Sequence, residues 1–84
     1  MHYVYVLQAL DNEAVFYVGC TSDLKNRLAT HNRGENRSTD DHGRRLVYYE
    51  AYMNLGAARK REYRLKHDGR ARYALMQRVR ESLE

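Results

Sequence analysis

The chain has 84 residues, 43% of them hydrophobic and 31% charged, with a formal net charge of +4. That balance is globular rather than disordered, and a chain this short buries only about 60–65% of its unfolded surface, so a single domain with one modest core is expected over residues 1–84. No run of ~18 apolar residues is present, so no membrane span is expected.

A lone cysteine excludes an internal disulfide. The opening stretch, MHYVYVLQAL, lacks the basic leader and small-residue cleavage site of a signal peptide. Together these features point to a reducing cytoplasm.

His2–Gln8, HYVYVLQ, is β-branched and aromatic with apolar residues on both faces, and reads as a central strand. Asp11 and Asn12 are turn formers, so Val15–Gly19 is the return strand of a hairpin. Thr21 or Ser22 caps the following helix, Asp23 favours its positive end, and Gly34 stops it after Arg33. Glu35–Arg44 has no periodicity and reads as a polar loop. Arg45–Tyr52 is a third strand. Asn54 caps a helix from Leu55 to about Lys66, which His67–Gly69 breaks. A last helix runs from Arg70 to near Leu83, with Leu75, Met76, Val79 and Leu83 on one stripe. The order β-β-α-β-α-α, three strands with flanking helices, makes a compact α+β or layered α/β domain.

Several polar residues fall where apolar ones are expected. Tyr3, Tyr5 and Leu7 share one strand face, as do Val15, Tyr17 and Gly19. A hairpin register can set Tyr5 near Tyr17, although such pairs are ordinarily packing. At about 100° per residue, Leu24, Arg27, Leu28 and His31 occupy one narrow helical sector. Arg27 either snorkels from the core edge, pairs with a carboxylate, or serves a site. On the next helix Glu62 lies among Leu55, Ala58 and Leu65. A carboxylate there is costly unless it is paired, with Arg27 for example, or binds a cation. Both readings stay open on spacing alone.

Charge adds a further hint. Arg59 to Arg80 holds nine basic residues against Glu62 and Asp68. Such a stretch suits a polyanionic partner, most often nucleic acid, or is simply a solvated helix surface. Phosphodiester hydrolysis uses parts of this kind: a cation for the non-bridging oxygens, a metal for leaving-group charge, and a base for water. A phenol serves as that base when nearby positive charge favours its ionised form.

The fragments YVY (Tyr3–Tyr5), YVG (Tyr17–Gly19), LKNRLATH and REYRLK (Arg61–Lys66), in this order and spacing, resemble the GIY-YIG nuclease superfamily. The short, stand-alone bacterial branch is the most similar part of it. The resemblance extends over nearly the whole chain, including HNRG, Ser38-Thr39 and LVYYE. It departs in having Tyr-Val-Tyr for Gly-Ile-Tyr and valine for isoleucine in the second motif; both tyrosines remain.

The resemblance implies a three-stranded antiparallel sheet flanked by helices and a metal-dependent DNA endonuclease, with a setting in DNA repair or recombination. It matches Tyr5 and Tyr17 to the motif tyrosines and Arg27 to the catalytic arginine. His31 matches a position that helps activate or orient water in some members, and Glu62 the ligand of one divalent ion, Mg²⁺ or Mn²⁺. Gly19 then leaves room for close approach of a phosphate. Arg59, Lys60, Lys66 and Arg70 are candidate DNA contacts, and Lys66 can equally screen Glu62 or stand in solvent. Because the chain has no room for a separate DNA-binding domain, target choice falls to these helices, a partner protein or a homodimer. The rival readings are a non-catalytic nucleic-acid-binding module and a partner-dependent subunit on the same fold. A cysteine hydrolase built on Cys20 and His31 lacks a third orienting group, and His2, His31, His42 and His67 have no zinc-ligand spacing.

Overall fold

The computed structural model describes residues 1–32 and 43–84. Strands β1 (His2–Ala9), β2 (Phe16–Thr21) and β3 (Arg44–Tyr52) form one antiparallel sheet in the order β2-β1-β3. The helices are α1 (Leu24–Asn32), α2 (Leu55–His67) and α3 (Gly69–Leu83), so the fold is α+β with the expected order β-β-α-β-α-α. The apolar character of β1 on both faces is explained by its central place, because helices cover the sheet on both sides.

Val4 and Val6 point to the face covered by α2 and α3, where they form the core with Ala58, Leu65, Leu75, Met76 and Val79. Tyr3, Tyr5 and Leu7 point to the other face, where Leu24 and Leu28 of α1 line a groove with Tyr3 and Tyr49. Leu55 and Leu83, expected on the apolar stripes, are instead 42% and 37% exposed. Each is the terminal residue of its helix, past the turns that pack on the sheet.

Strand β3 carries a bulge. Tyr48 opposes Val6 and Leu46 opposes Leu7, leaving Val47 as the extra residue. Val47 and Tyr48 consequently both pack toward the core. The alternation reverses beyond them, so Leu46 and Arg44 share the face of Leu7 while Arg45 goes to the core-side face. There the Arg45 Nε donates to Gln8 Oε1 at 2.8 Å.

The helix ends correct the sequence reading. Strand β2 runs through Thr21, so the α1 cap falls on Asp23, whose carboxylate accepts the Asn26 N–H at 3.1 Å. Thr21 Oγ1 accepts the Asp23 N–H at 3.1 Å. Asn54 caps α2 as expected, accepting the Ala57 N–H at 2.8 Å. The break between α2 and α3 shrinks to Asp68, which ends one helix and caps the next through Arg70 and Ala71. Those two backbone bonds hold its carboxyl below the usual range. Arg44 belongs to β3 rather than to the loop, whereas the Gly34 stop and the loop residues 35–42 lie outside the described residues.

A polar cluster on the core-side face was not foreseen. Arg61 of α2 forms an ion pair with Glu50 of β3 at 3.0 Å, and Tyr48 and Tyr52 both donate to the same carboxylate. Burial pushes the Glu50 carboxyl up, but the bonds from Arg61, Tyr52 and Tyr48 outweigh it and hold the group below the usual carboxylate range. Burial, then the bond to Glu50, push the Tyr52 phenol up to about 12. Among the described residues, no helix is long and apolar enough to cross a membrane.

Candidate active site

The hairpin register sets Tyr5 opposite Gly19 and Leu7 opposite Tyr17, so the two tyrosines are diagonal neighbours on one sheet face. They differ sharply in burial: Tyr5 is 3% exposed and Tyr17 is 39% exposed. The Tyr5 ring lies across Gly19. A Cβ at residue 19 would come under 3.0 Å from three of its atoms, including the hydroxyl. The space beside Gly19 is therefore taken by Tyr5 itself, which corrects the expectation of room for a phosphate.

Arg27 approaches the same ring from α1. Its Nε donates to the Tyr5 hydroxyl at 3.2 Å, and this bond raises the guanidinium pKa above its ordinary value. The rest of the side chain is exposed, and no described residue bonds its terminal nitrogens. An arginine pinned at Nε with its outer edge in solvent is ready to meet an anion. It does so without the carboxylate partner that spacing alone left open.

Arg44, a residue the sequence reading passed over, completes this face. Its guanidinium carbon stands 3.7 Å from the centre of the Tyr17 ring, a cation–π contact. Nothing in the local pattern points to Arg44, because simple alternation along β3 assigns it to the opposite face.

Glu62 comes from the other side of the sheet. It lines a cleft with His2, Cys20, Thr21, Ser22, Leu55 and Arg59. Thr21 and Ser22 lead β2 into α1, so the cleft lies at the end of the edge strand, from Cys20 onward, while Tyr17 sits near the start of the same strand. The side chain is 22% exposed, and its Oε2 accepts from Lys66 Nζ at 3.0 Å. The Glu62–Arg27 pair that spacing allowed is not formed; the partner is Lys66. Oε1 takes no bond from any described residue.

Tyr5 thus meets both Gly19 and Arg27, Tyr17 is diagonal to Tyr5, and the bonding partner of Glu62 is Lys66 rather than any of these. Of the candidate DNA contacts, Arg59 lines the cleft and Lys66 holds Glu62, while Lys60 and Arg70 are exposed away from it. His31 falls in the last turn of α1, and its side chain lies outside the described residues, as do Ser38 and Thr39.

Among the described residues, no three His, Cys, Asp or Glu side chains are placed to share a metal ion. The one carboxylate in the open cleft is a hard oxygen donor. It fits a divalent ion of the magnesium type, which keeps several waters and takes its other ligands from substrate phosphate. Burial, then the nearby Glu62 carboxylate, push the Cys20 thiol up. That direction weighs against Cys20 as a nucleophile.

Residues 1–74 match the family model described as the GIY-YIG catalytic domain. The chain belongs to the GIY-YIG family. This is a family of nucleases, and the tyrosine-glycine-arginine contact lies within its matched residues. A UPF0213 protein of Lactiplantibacillus plantarum is 40% identical over 74 residues, covering 83% of this chain and 71% of its own length. One of Staphylococcus haemolyticus is 37% identical over 67 residues, covering 77% and 79%. One of Halobacterium salinarum is 36% identical over 74 residues, covering 84% and 92%. No solved structure matches significantly.

Proposed function

We propose that this GIY-YIG domain is an endonuclease that hydrolyses DNA phosphodiester bonds with one divalent ion, Mg²⁺ or Mn²⁺, held at Glu62. The cytoplasm is its proposed compartment and DNA repair or recombination its setting. The observation that carries the reading is the Arg27–Tyr5 hydrogen bond over Gly19, on the same sheet face as the exposed Tyr17.

In this mechanism Arg27 clamps a non-bridging oxygen of the scissile phosphate through its outer nitrogens while Tyr5 holds its Nε. Tyr5, buried in the sheet face, sets the height of the guanidinium above the sheet. The exposed phenolic oxygen of Tyr17, acting as the phenolate, takes the proton of the attacking water and becomes the phenol, and His31 helps orient that water. Glu62 would hold the divalent ion, whose charge would stabilise the departing oxygen when bound. Arg59 and Lys66 beside the cleft, with Lys60 and Arg70 further out, add phosphate contacts. Target choice rests on these residues, on a partner protein, or on a homodimer.

One observation favours a second reading, a nucleic-acid-binding module without catalysis: Glu62 already has a cationic partner in Lys66. A single assay separates the two. Purified protein is incubated with branched, nicked, single-stranded and duplex DNA, with Mg²⁺ or Mn²⁺ and with a chelator, beside Arg27→Ala and Glu62→Ala. Ion-dependent cleavage is expected, lowered on the order of 10²–10³-fold by either substitution. Equal cleavage by all three proteins overturns the assignment. Salt-sensitive binding with no cleavage of any substrate favours the binding module.

A further inference from the structure

The bulge at Val47 decides which of two adjacent arginines reaches the candidate site. Counting back from Tyr49, which opposes Tyr5, regular alternation would place Val47 and Arg45 on the Tyr5 face and send Arg44 to the core side. The extra residue reverses this. Arg44 opposes Ala9 and emerges beside Tyr17, whereas Arg45 opposes Gln8 and bonds its side chain. Gly43 fixes the entry into the strand: its φ is 64°, and its carbonyl accepts the Leu10 N–H at 3.2 Å. A Cβ there would be strained by that φ and would meet Leu10 Cδ1 at 3.1 Å.

Two guanidiniums thus stand on one sheet face, each engaged with one motif tyrosine. Arg27 meets the Tyr5 hydroxyl, and Arg44 covers the Tyr17 ring. A guanidinium stacked on a ring uses its flat face, so its N–H donors point outward along the edge. Arg44 has no carboxylate partner among the described residues. We propose that Arg44 is a positioning residue for Tyr17 and the second phosphate-contacting guanidinium of this face, engaging the nucleic-acid backbone beside the phosphate clamped by Arg27. This deepens the endonuclease reading and rests on it.

The test measures DNA affinity against salt concentration for wild type, Arg44→Ala, Arg44→Lys, Arg45→Ala and Arg80→Ala, alongside kcat and thermal unfolding. Each phosphate contact contributes about 0.9 to the logarithmic salt slope on duplex DNA and about 0.7 on single strands. Arg44→Ala is expected to flatten the slope by about that amount and to lower kcat on the order of tenfold. Arg45→Ala and Arg80→Ala should keep the wild-type slope. Arg44→Lys keeps the charge but not the planar stack, so it should restore the slope while kcat stays low; it also guards against misfolding of the alanine variant.

An unchanged slope in Arg44→Ala, or an equal loss in Arg45→Ala, overturns the phosphate contact. Full recovery of kcat in Arg44→Lys overturns the positioning role. A wild-type protein that neither binds with salt sensitivity nor cuts overturns the endonuclease reading itself, a result distinct from either.

Discussion

The ring of Tyr5 occupies the space that a side chain at Gly19 would fill. The two residues are direct partners across β1 and β2, and the missing Cβ lets the ring fold over the neighbouring strand. That posture buries the ring and brings its hydroxyl to Arg27. Gly19 thus acts on the guanidinium indirectly, by deciding where the tyrosine goes.

Gly19→Ala is accordingly expected to destabilise the protein by about 1–3 kcal/mol through overpacking, and to weaken cleavage as Arg27 loses its anchor. Adding Tyr5→Phe should not restore stability, because ring carbons as well as the hydroxyl lie under 3.0 Å from the new methyl. Denaturant unfolding of the single and double variants measures this. Recovery in the double variant would mean that the hydroxyl alone causes the clash.

Lys66 occupies one oxygen of the carboxylate assigned to the metal. An ion at Glu62 has to compete with that ammonium, and partly exposed pairs of this kind are worth about 0.2–1 kcal/mol. Lys66→Met should therefore tighten Mn²⁺ binding by up to about fivefold, read by electron paramagnetic resonance without DNA. Glu62→Gln should abolish the same signal. Unaltered Mn²⁺ affinity in Lys66→Met would show that the pair opens at no cost.

The Glu50 cluster predicts stability limits at both ends of the pH scale. The Tyr52 phenol is pushed up to about 12 from an ordinary 10.0. Between those values the unfolded chain releases its proton while the folded chain keeps it, so stability falls as pH rises. The loss is at most ~2.7 kcal/mol and is reduced by the solvent that reaches the ring. Glu50 has the opposite sign. Its carboxyl is held low, so its contribution is present above the ordinary carboxylate range and disappears as pH falls through the lowered pKa. Tyr52→Phe should flatten the alkaline arm of a stability profile, and Glu50→Gln the acid arm. An unchanged alkaline arm in Tyr52→Phe would assign that loss to another group.

Periodicity and turn chemistry were enough to read the element order, the central place of β1, the Asn54 cap and the apolar stripe of Leu75, Met76 and Val79. These are local properties, written in spacing and residue type. The motif tyrosines, Arg27 and Glu62 were conspicuous for a related reason: each is polar where its neighbours demand burial.

Which groups meet was not readable in the same way. Pairing of Tyr5 with Gly19, the choice of Lys66 over Arg27 as partner of Glu62, the Glu50–Arg61 cluster and the arrival of Arg44 on Tyr17 all depend on strand register and on which sheet face each helix covers. A single extra residue in β3 inverts every side chain beyond it, and no one-dimensional pattern announces where that residue falls.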